Sequence, residues 1–223
     1  MKRKTIGVLG LGIFGRTVAR QLSQFDQDVI AIDKSEANVN EIGNLVTKAA
    51  VGDMTDNDFL LAVGIDQCDT VVIATGNNLE ASVLAIMHCK KLEVPAIIAK
   101  AKNKIHEEVL YGIGATNVIT PERDSGKRVA SNILKCHIES IIYLEHGISM
   151  INFAIPESWV GKTLTELDVR QKYELNIIGT RHEKESSLDP NVNPTAPLEP
   201  NTILVAIANN HTFEKFDYLG YLK

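Results

Sequence analysis

Short apolar runs alternate with longer stretches of helical spacing over the first 120 residues. The runs cover residues 5–9, 28–32, 47–51, 70–74, 96–100 and 117–119, and each predicts a β-strand. Between them, residues 15–25, 36–45, 57–63, 79–92 and 104–113 repeat apolar side chains at helical intervals. Strand and helix in strict alternation, joined by short connections, predict parallel strands with helices on both faces. Val71, Val72, Ile73 and Ala74 are consecutive apolar residues, as a strand buried on both faces requires.

Pro121 opens a different pattern. Residues 122–145 contain no proline, and Val129, Ile133, Ile138, Ile141 and Ile142 recur at helical spacing. One or two long helices are expected here, ending at Gly147. From Ile148 the period returns to two, predicting strands over 148–155, 174–181 and 202–208, a short helix over 163–170 and a closing helix over 211–219. Pro190, Pro194, Pro197 and Pro200 mark a solvated, mobile loop between the last two strands. Three parts result: residues 1–121, a crossover segment 122–146, and a small α+β lobe 147–223.

Composition narrows the function classes. The net charge is −5 over 223 residues, which argues against a nucleic-acid surface. No apolar run reaches the length of about 18 residues that a membrane span needs. Cys68, Cys89 and Cys136 fit neither a zinc site nor a disulfide framework, so a reduced, cytoplasmic setting is expected with the thiols as small apolar filling.

The first strand runs into Gly10-Leu11-Gly12-Ile13-Phe14-Gly15, a G-x-G-x-x-G loop that opens a helix. The first glycine permits the tight turn, the second lets a pyrophosphate approach the backbone, and the third lets helix pack on strand. Free amides at the helix N-terminus then face an anion. The second strand is followed by Asp33, 18 residues beyond Gly15, where a carboxylate accepts from ribose hydroxyls. A Rossmann-type sheet with a nucleotide at the carboxyl ends of its strands is therefore expected.

The remaining strand ends supply further candidates. They are Lys34 and Ser35 after the second strand, Asp53 and Met54 after the third, Thr75, Gly76 and Asn77 after the fourth, and Lys100 and Ala101 after the fifth. Asp53 reads either as an acceptor for the adenine amine or, with Thr55, as a helix cap. Arg16 reads either as a phosphate partner or as a surface arginine, and Lys100 carries the same pair of readings. No histidine sits in a recognisable catalytic context, and neither a Walker-type lysine loop nor a Ser/His/Asp set is present. A ligand that is sensed rather than turned over fits this inventory. An NAD-dependent oxidoreductase is the alternative, with Asp33 favouring NAD over NADP.

Several segments together resemble the RCK (KTN) proteins of the KtrA/TrkA type. They are residues 7–15, Val51-Gly52-Asp53-Met54-Thr55-Asp56, Ile73-Ala74-Thr75-Gly76-Asn77-Asn78, Lys100-Ala101-Lys102-Asn103, Ile113-Gly114-Ala115 and Thr120-Pro121-Glu122-Arg123-Asp124. The resemblance spans nearly the whole chain. It implies a Rossmann RCK-N domain, a crossover helix and an RCK-C lobe. It further implies a homodimer assembling to an octameric ring, docked at the inner face of the cell membrane on an integral K+-translocating subunit of the KtrB/TrkH kind. The implied ligand is an adenine nucleotide, ATP or ADP, with NAD(H) as a further possibility. Glu122 matches a glutamate that helps hold Mg2+ or another cation between facing phosphates, and His106 joins the nucleotide-site residues. The family's loop commonly carries arginine where this chain has Ile13, a departure that leaves nucleotide identity open. In the C-terminal lobe Leu164, Asp168, Arg170, Asn176 and Ile177 match a cyclic di-AMP pattern of some RCK-C domains, with Thr165 and Gly179 departing from it. The plain structural alternative is an Asp168–Arg170 pair on a short helix.

Overall fold

The computed structural model describes residues 3–134, 136–145, 147–182 and 186–221. It divides into two compact units, Met1–Gly126 and Lys127–Lys223, taken separately below.

The first unit is a six-stranded parallel sheet of β1 (Thr5–Leu9), β2 (Asp28–Asp33), β3 (Lys48–Val51), β4 (Thr70–Ile73), β5 (Ala96–Lys100) and β6 (Asn117–Ile119). Their order is β3-β2-β1-β4-β5-β6, so the order in which strands are added to the sheet reverses at the β1–β4 junction. The connecting helices are α1 (Ile13–Gln24), α2 (Glu36–Asn40), α3 (Asn57–Val63), α4 (Leu79–Lys91) and α5 (Lys104–Ile113). Two hydrophobic clusters form the two faces. Leu9, Ile32, Val71 and Ile73 pack on one, and Val8, Val29 and Ala31 on the other, all with no exposed surface.

Side-chain caps set where several helices begin. Asp56 accepts from the amides of Asp58 and Phe59, Asn78 from that of Ala81, and Asn103 from that of His106. The cap of α3 is thus Asp56, rather than Asp53 or Thr55. The helix expected over 36–45 stops at Asn40. Burial raises the Cys68 and Cys89 thiols to about 11 and about 12, so both are inert packing groups.

The helix α6 (Pro121–Leu134) starts in the first unit, and its residues from Lys127 on belong to the second. The second unit contains β7 (Ile138–Glu145), β8 (Ile148–Ala154), α7 (Leu164–Leu167), α8 (Val169–Tyr173), β9 (Asn176–Arg181), β10 (Ile203–Asn209) and α9 (Asn210–Tyr218). Its sheet is antiparallel in the order β7-β8-β10-β9. This corrects the expected crossover helix over 122–146: helix ends at Leu134, and residues 138–145 are an edge strand on β8. Lys135 and His146 of that segment lie outside the described residues.

Trp159, Tyr173, Phe153 and Phe213 fill the second core. Asp217 on α9 is fully buried, and its carboxylate accepts from the amides of Cys136 (2.9 Å) and His137 (2.8 Å) and contacts His137 Nδ1 at 3.1 Å. It fixes the start of β7 to the last helix. The expected loop over 189–200 is largely exposed but pinned along its length, by Asp189 pairing with Thr180, by Pro194 accepting from Thr165, and by Leu198 pairing with Gly161 and Lys162. Among the described residues no helix is long and apolar enough to cross a membrane.

Candidate functional site

At the carboxyl end of β1, beside the switch point, the first unit opens a cleft of about 830 Å³, within the usual size of small-molecule sites. The glycine loop forms its floor. Gly10 takes φ +96, a left-handed conformation that glycine adopts without cost, and turns the chain from β1 toward α1. A Cβ at Gly15 would run into the Gly10 carbonyl oxygen, so this glycine lets α1 begin against the loop. Gly12 differs from both: a Cβ there would meet nothing within 4 Å. The room beside it faces the cleft. Gly12 is also the N-cap of α1 without a side-chain cap, so the first-turn amides keep their hydrogen-bonding capacity for an anion.

Asp33 lines the cleft and has a structural task. Its carboxylate accepts from the Leu11 amide (2.6 Å) and the Ser35 amide (2.8 Å), which ties the glycine loop to the β2–α2 turn. Each oxygen retains a lone pair for a further donor. Ser35 caps α2 and does not line the cleft. Lys34 does line it and bridges to Asp53 at 2.8 Å. That bond, with the Thr55 amide second, holds the Asp53 carboxyl down at about 2.

At the other end of the cleft, Lys100 Nζ lies 2.5 Å from Glu122 and 5.7 Å from the Phe14 ring centroid. The lysine side chain is 15% exposed and the glutamate 69%. The lysine's hydrogen bond holds the Glu122 carboxyl below the usual carboxylate range. Thr75, Gly76 and Asn77 form the wall between, with Met54 below and Ile13 at the rim, 83% exposed.

The structure therefore brings Gly10, Gly12, Ile13, Phe14, Asp33, Lys34, Met54, Thr75, Gly76, Asn77, Lys100 and Glu122 to one cleft. Other expected residues do not line it. Arg16 is turned to the end of α2, where its guanidinium meets Glu41 at 2.5 Å and Asn38 at 3.4 Å and its side chain is only 22% exposed. Ala101 is buried in the core, and His106 sits in the first turn of α5 away from the cleft lining. Residues not anticipated are Thr17, Asn38, Ala74, Asn78, Ala81, Pro121 and Ser125. Thr17 follows Ile13 by one helical turn, a spacing that the glycine loop itself implied. Among the described residues no cluster of three or more His, Cys, Asp or Glu forms a metal cage, and Glu122 belongs to none.

The second candidate set lies on α7, α8 and β9 and the junction between the two helices. Leu164 is in the core, and Ile177 is half-buried against it. Asp168 takes φ +46 at the junction between α7 and α8, which breaks the single helix expected over 163–170. Arg170 and Asn176 are exposed.

The TrkA-N domain family matches residues 6–121, and the TrkA-C domain family matches residues 150–218. The chain belongs to the TrkA domain family. Ktr system potassium uptake protein C of Bacillus subtilis (strain 168) is 34% identical over 96% of this chain and 96% of its own length. Ktr system potassium uptake protein A of the same organism is 30% identical over 99% of this chain and 98% of its own. The crystal structure of the GsuK RCK domain superposes with a TM-score of 0.60 at 20% identity over 98% of this chain; the chain spans about half, 48%, of that one. The GsuK channel bound to NAD superposes with a TM-score of 0.61 at 19% identity, over 97% of this chain and 40% of that chain. At these identities the likeness shows that the TrkA-family chain has the RCK fold.

Proposed function

We propose that this TrkA-family chain is the cytoplasmic, nucleotide-sensing regulatory subunit of a Ktr/Trk-type potassium channel or transporter. The observation that carries the reading is the glycine loop: room left beside Gly12 and an uncapped α1 N-terminus, with Asp33 bracing the loop from β2. These features serve a pyrophosphate. The full-length similarity to Ktr potassium uptake proteins supplies the physiological setting. The chain is read as a non-catalytic subunit, in line with the Ktr potassium uptake proteins that it resembles over its full length.

The ligand is an adenine nucleotide, ATP or ADP, with ribose on Asp33, pyrophosphate over Gly12 and terminal phosphate toward Lys100. NAD(H) is the second reading, favoured by the NAD-bound channel of the same fold. Since Glu122 belongs to no cluster of three or more metal-ligating side chains among the described residues, Mg2+ or another cation at this point is shared with phosphates across a dimer interface. The chain works as a homodimer in an octameric ring beneath its membrane subunit. Nucleotide exchange shifts the population of ring conformations through differential affinity. The C-terminal lobe takes cyclic di-AMP through the exposed Arg170 and Asn176, with Asp168 at the turn beside them.

Equilibrium titration of ATP, ADP, NADH and cyclic di-AMP onto the full chain, with and without Mg2+, tests this assignment. Saturable adenine-nucleotide binding supports it, and no binding of any of them refutes it. Hydride transfer to a small carbonyl substrate would instead establish the oxidoreductase alternative.

A further inference from the structure

Lys100 is a fixed cation at the phosphate end of the cleft. Its aliphatic stem lies against Gly76, where an added Cβ would come within 3.1 Å of Lys100 Cε, and its ammonium stands over the Phe14 ring. Glu122 is the movable member of the pair, since only its tip is engaged and most of its side chain is in solvent. It belongs to the first turn of α6, the helix whose later residues fall in the second unit. Of the other cations near the loop, Arg16 is paired with Glu41 and Asn38, and Lys34 with Asp53. A nucleotide's phosphates thus find Lys100 already held by a carboxylate, and both anions seek the same ammonium donors.

We infer that Glu122 is an affinity-setting competitor: nucleotide phosphates bind by displacing its carboxylate from Lys100, which releases the first turn of α6 from the cleft. This rests on the nucleotide reading of the cleft and assigns Glu122 a role in that site separate from any metal ion. The exchange leaves Lys100 in place and changes only what holds α6, so ligand binding is coupled to a helix that continues beyond the nucleotide unit. The coupling is modest in size, because the pair is partly exposed.

The test is a double-mutant cycle on ADP binding by the full chain, in chelator so that no divalent cation contributes. Wild type, Glu122→Gln, Lys100→Met and the double variant are titrated calorimetrically, with Lys100→Gln replacing Lys100→Met should the latter not fold. Glu122→Gln should bind ADP about three- to fivefold tighter, as expected for release of a partly exposed ion pair. Lys100→Met should bind more weakly, and Glu122→Gln should then add no gain. Two results would overturn the inference: Glu122→Gln binding ADP equally or more weakly, or the same gain with and without Lys100, which would mean simple charge repulsion. If none of the four proteins binds ADP, the nucleotide reading itself fails, an outcome distinct from either.

Discussion

Replacing Gly12 by alanine separates binding from folding at a single position. Gly12 has φ −64 and ψ −174, a conformation that alanine adopts freely, and a Cβ there meets no protein atom within 4 Å. The folded chain therefore incurs no strain. The unfolded chain loses freedom, so stability should rise by about 0.4–1 kcal/mol, and the melting temperature of the nucleotide unit by about 2–5 °C. The methyl group projects into the room that a pyrophosphate needs to reach the first-turn amides of α1. Loss of two hydrogen bonds to charged oxygens, at about 1.5 kcal/mol or more each, weakens the dissociation constant by at least about 100-fold. Thermal melting and calorimetric titration with ADP read the two effects on one sample. Gly15→Ala is the contrast: its Cβ would strike the Gly10 carbonyl oxygen, so stability should fall by about 1–3 kcal/mol along with binding. If Gly12→Ala binds ADP within about threefold of wild type, a value far short of the two-bond loss, the pyrophosphate does not lie over this glycine and the reasoning is wrong.

Asp217→Ala removes the fully buried carboxylate that accepts from the amides of Cys136 and His137 and should cost about 2–4 kcal/mol, read by urea unfolding at the single tryptophan, Trp159; a loss below about 1 kcal/mol would contradict that role. Asp168→Gly relieves a left-handed conformation and should match or exceed wild-type stability, while Asp168→Ala should lose about 1 kcal/mol. If the carboxylate contacts cyclic di-AMP, Asp168→Gly should also abolish its binding; retained affinity removes Asp168 from that site. The Asp53 carboxyl is depressed in the folded protein from its usual 3.8 to about 2, so its stabilisation is present above the unfolded value and is lost as pH falls through about 2. Asp53→Asn should therefore cost less than about 1 kcal/mol at neutral pH, given the exposure of both partners, and the difference should vanish near pH 2; a difference that persists there would point to packing instead.

The first unit was legible because its inner strands are buried on both faces and its turns carry glycine, so each run of apolar residues announced one strand and its end. The edge strand β7 was not. Between Ile138 and Ser140, β7 uses two residues against one on β8, and a second irregularity follows between Tyr143 and Glu145. Such bulges reset which side chains face inward. Ile138 and Ile141 both face the core, three residues apart, a spacing that imitates a helix. The single helix over 163–170 failed for a related reason, since nothing in the pattern shows that Asp168 takes a left-handed conformation.

At the cleft, the residues that contribute backbone or sit at strand ends were readable from their position in the strand–loop–helix rhythm. The ion pairs were not. Arg16 with Glu41, Lys34 with Asp53, and Lys100 with Glu122 join side chains from different elements, and no local spacing encodes them. Those pairs decide which cations a phosphate can reach. The residue types at the site were therefore visible in sequence, while its charge arrangement required the fold.

The central claim is that nucleotide in this cleft controls potassium movement. The most direct measurement is K+ flux through the membrane subunit in liposomes with the full chain added, compared between ATP and ADP and repeated with Gly12→Ala. The account predicts that flux with the wild-type chain differs between the two nucleotides and that the difference disappears with Gly12→Ala. Flux that is the same with either nucleotide, under conditions where both are bound, would contradict it.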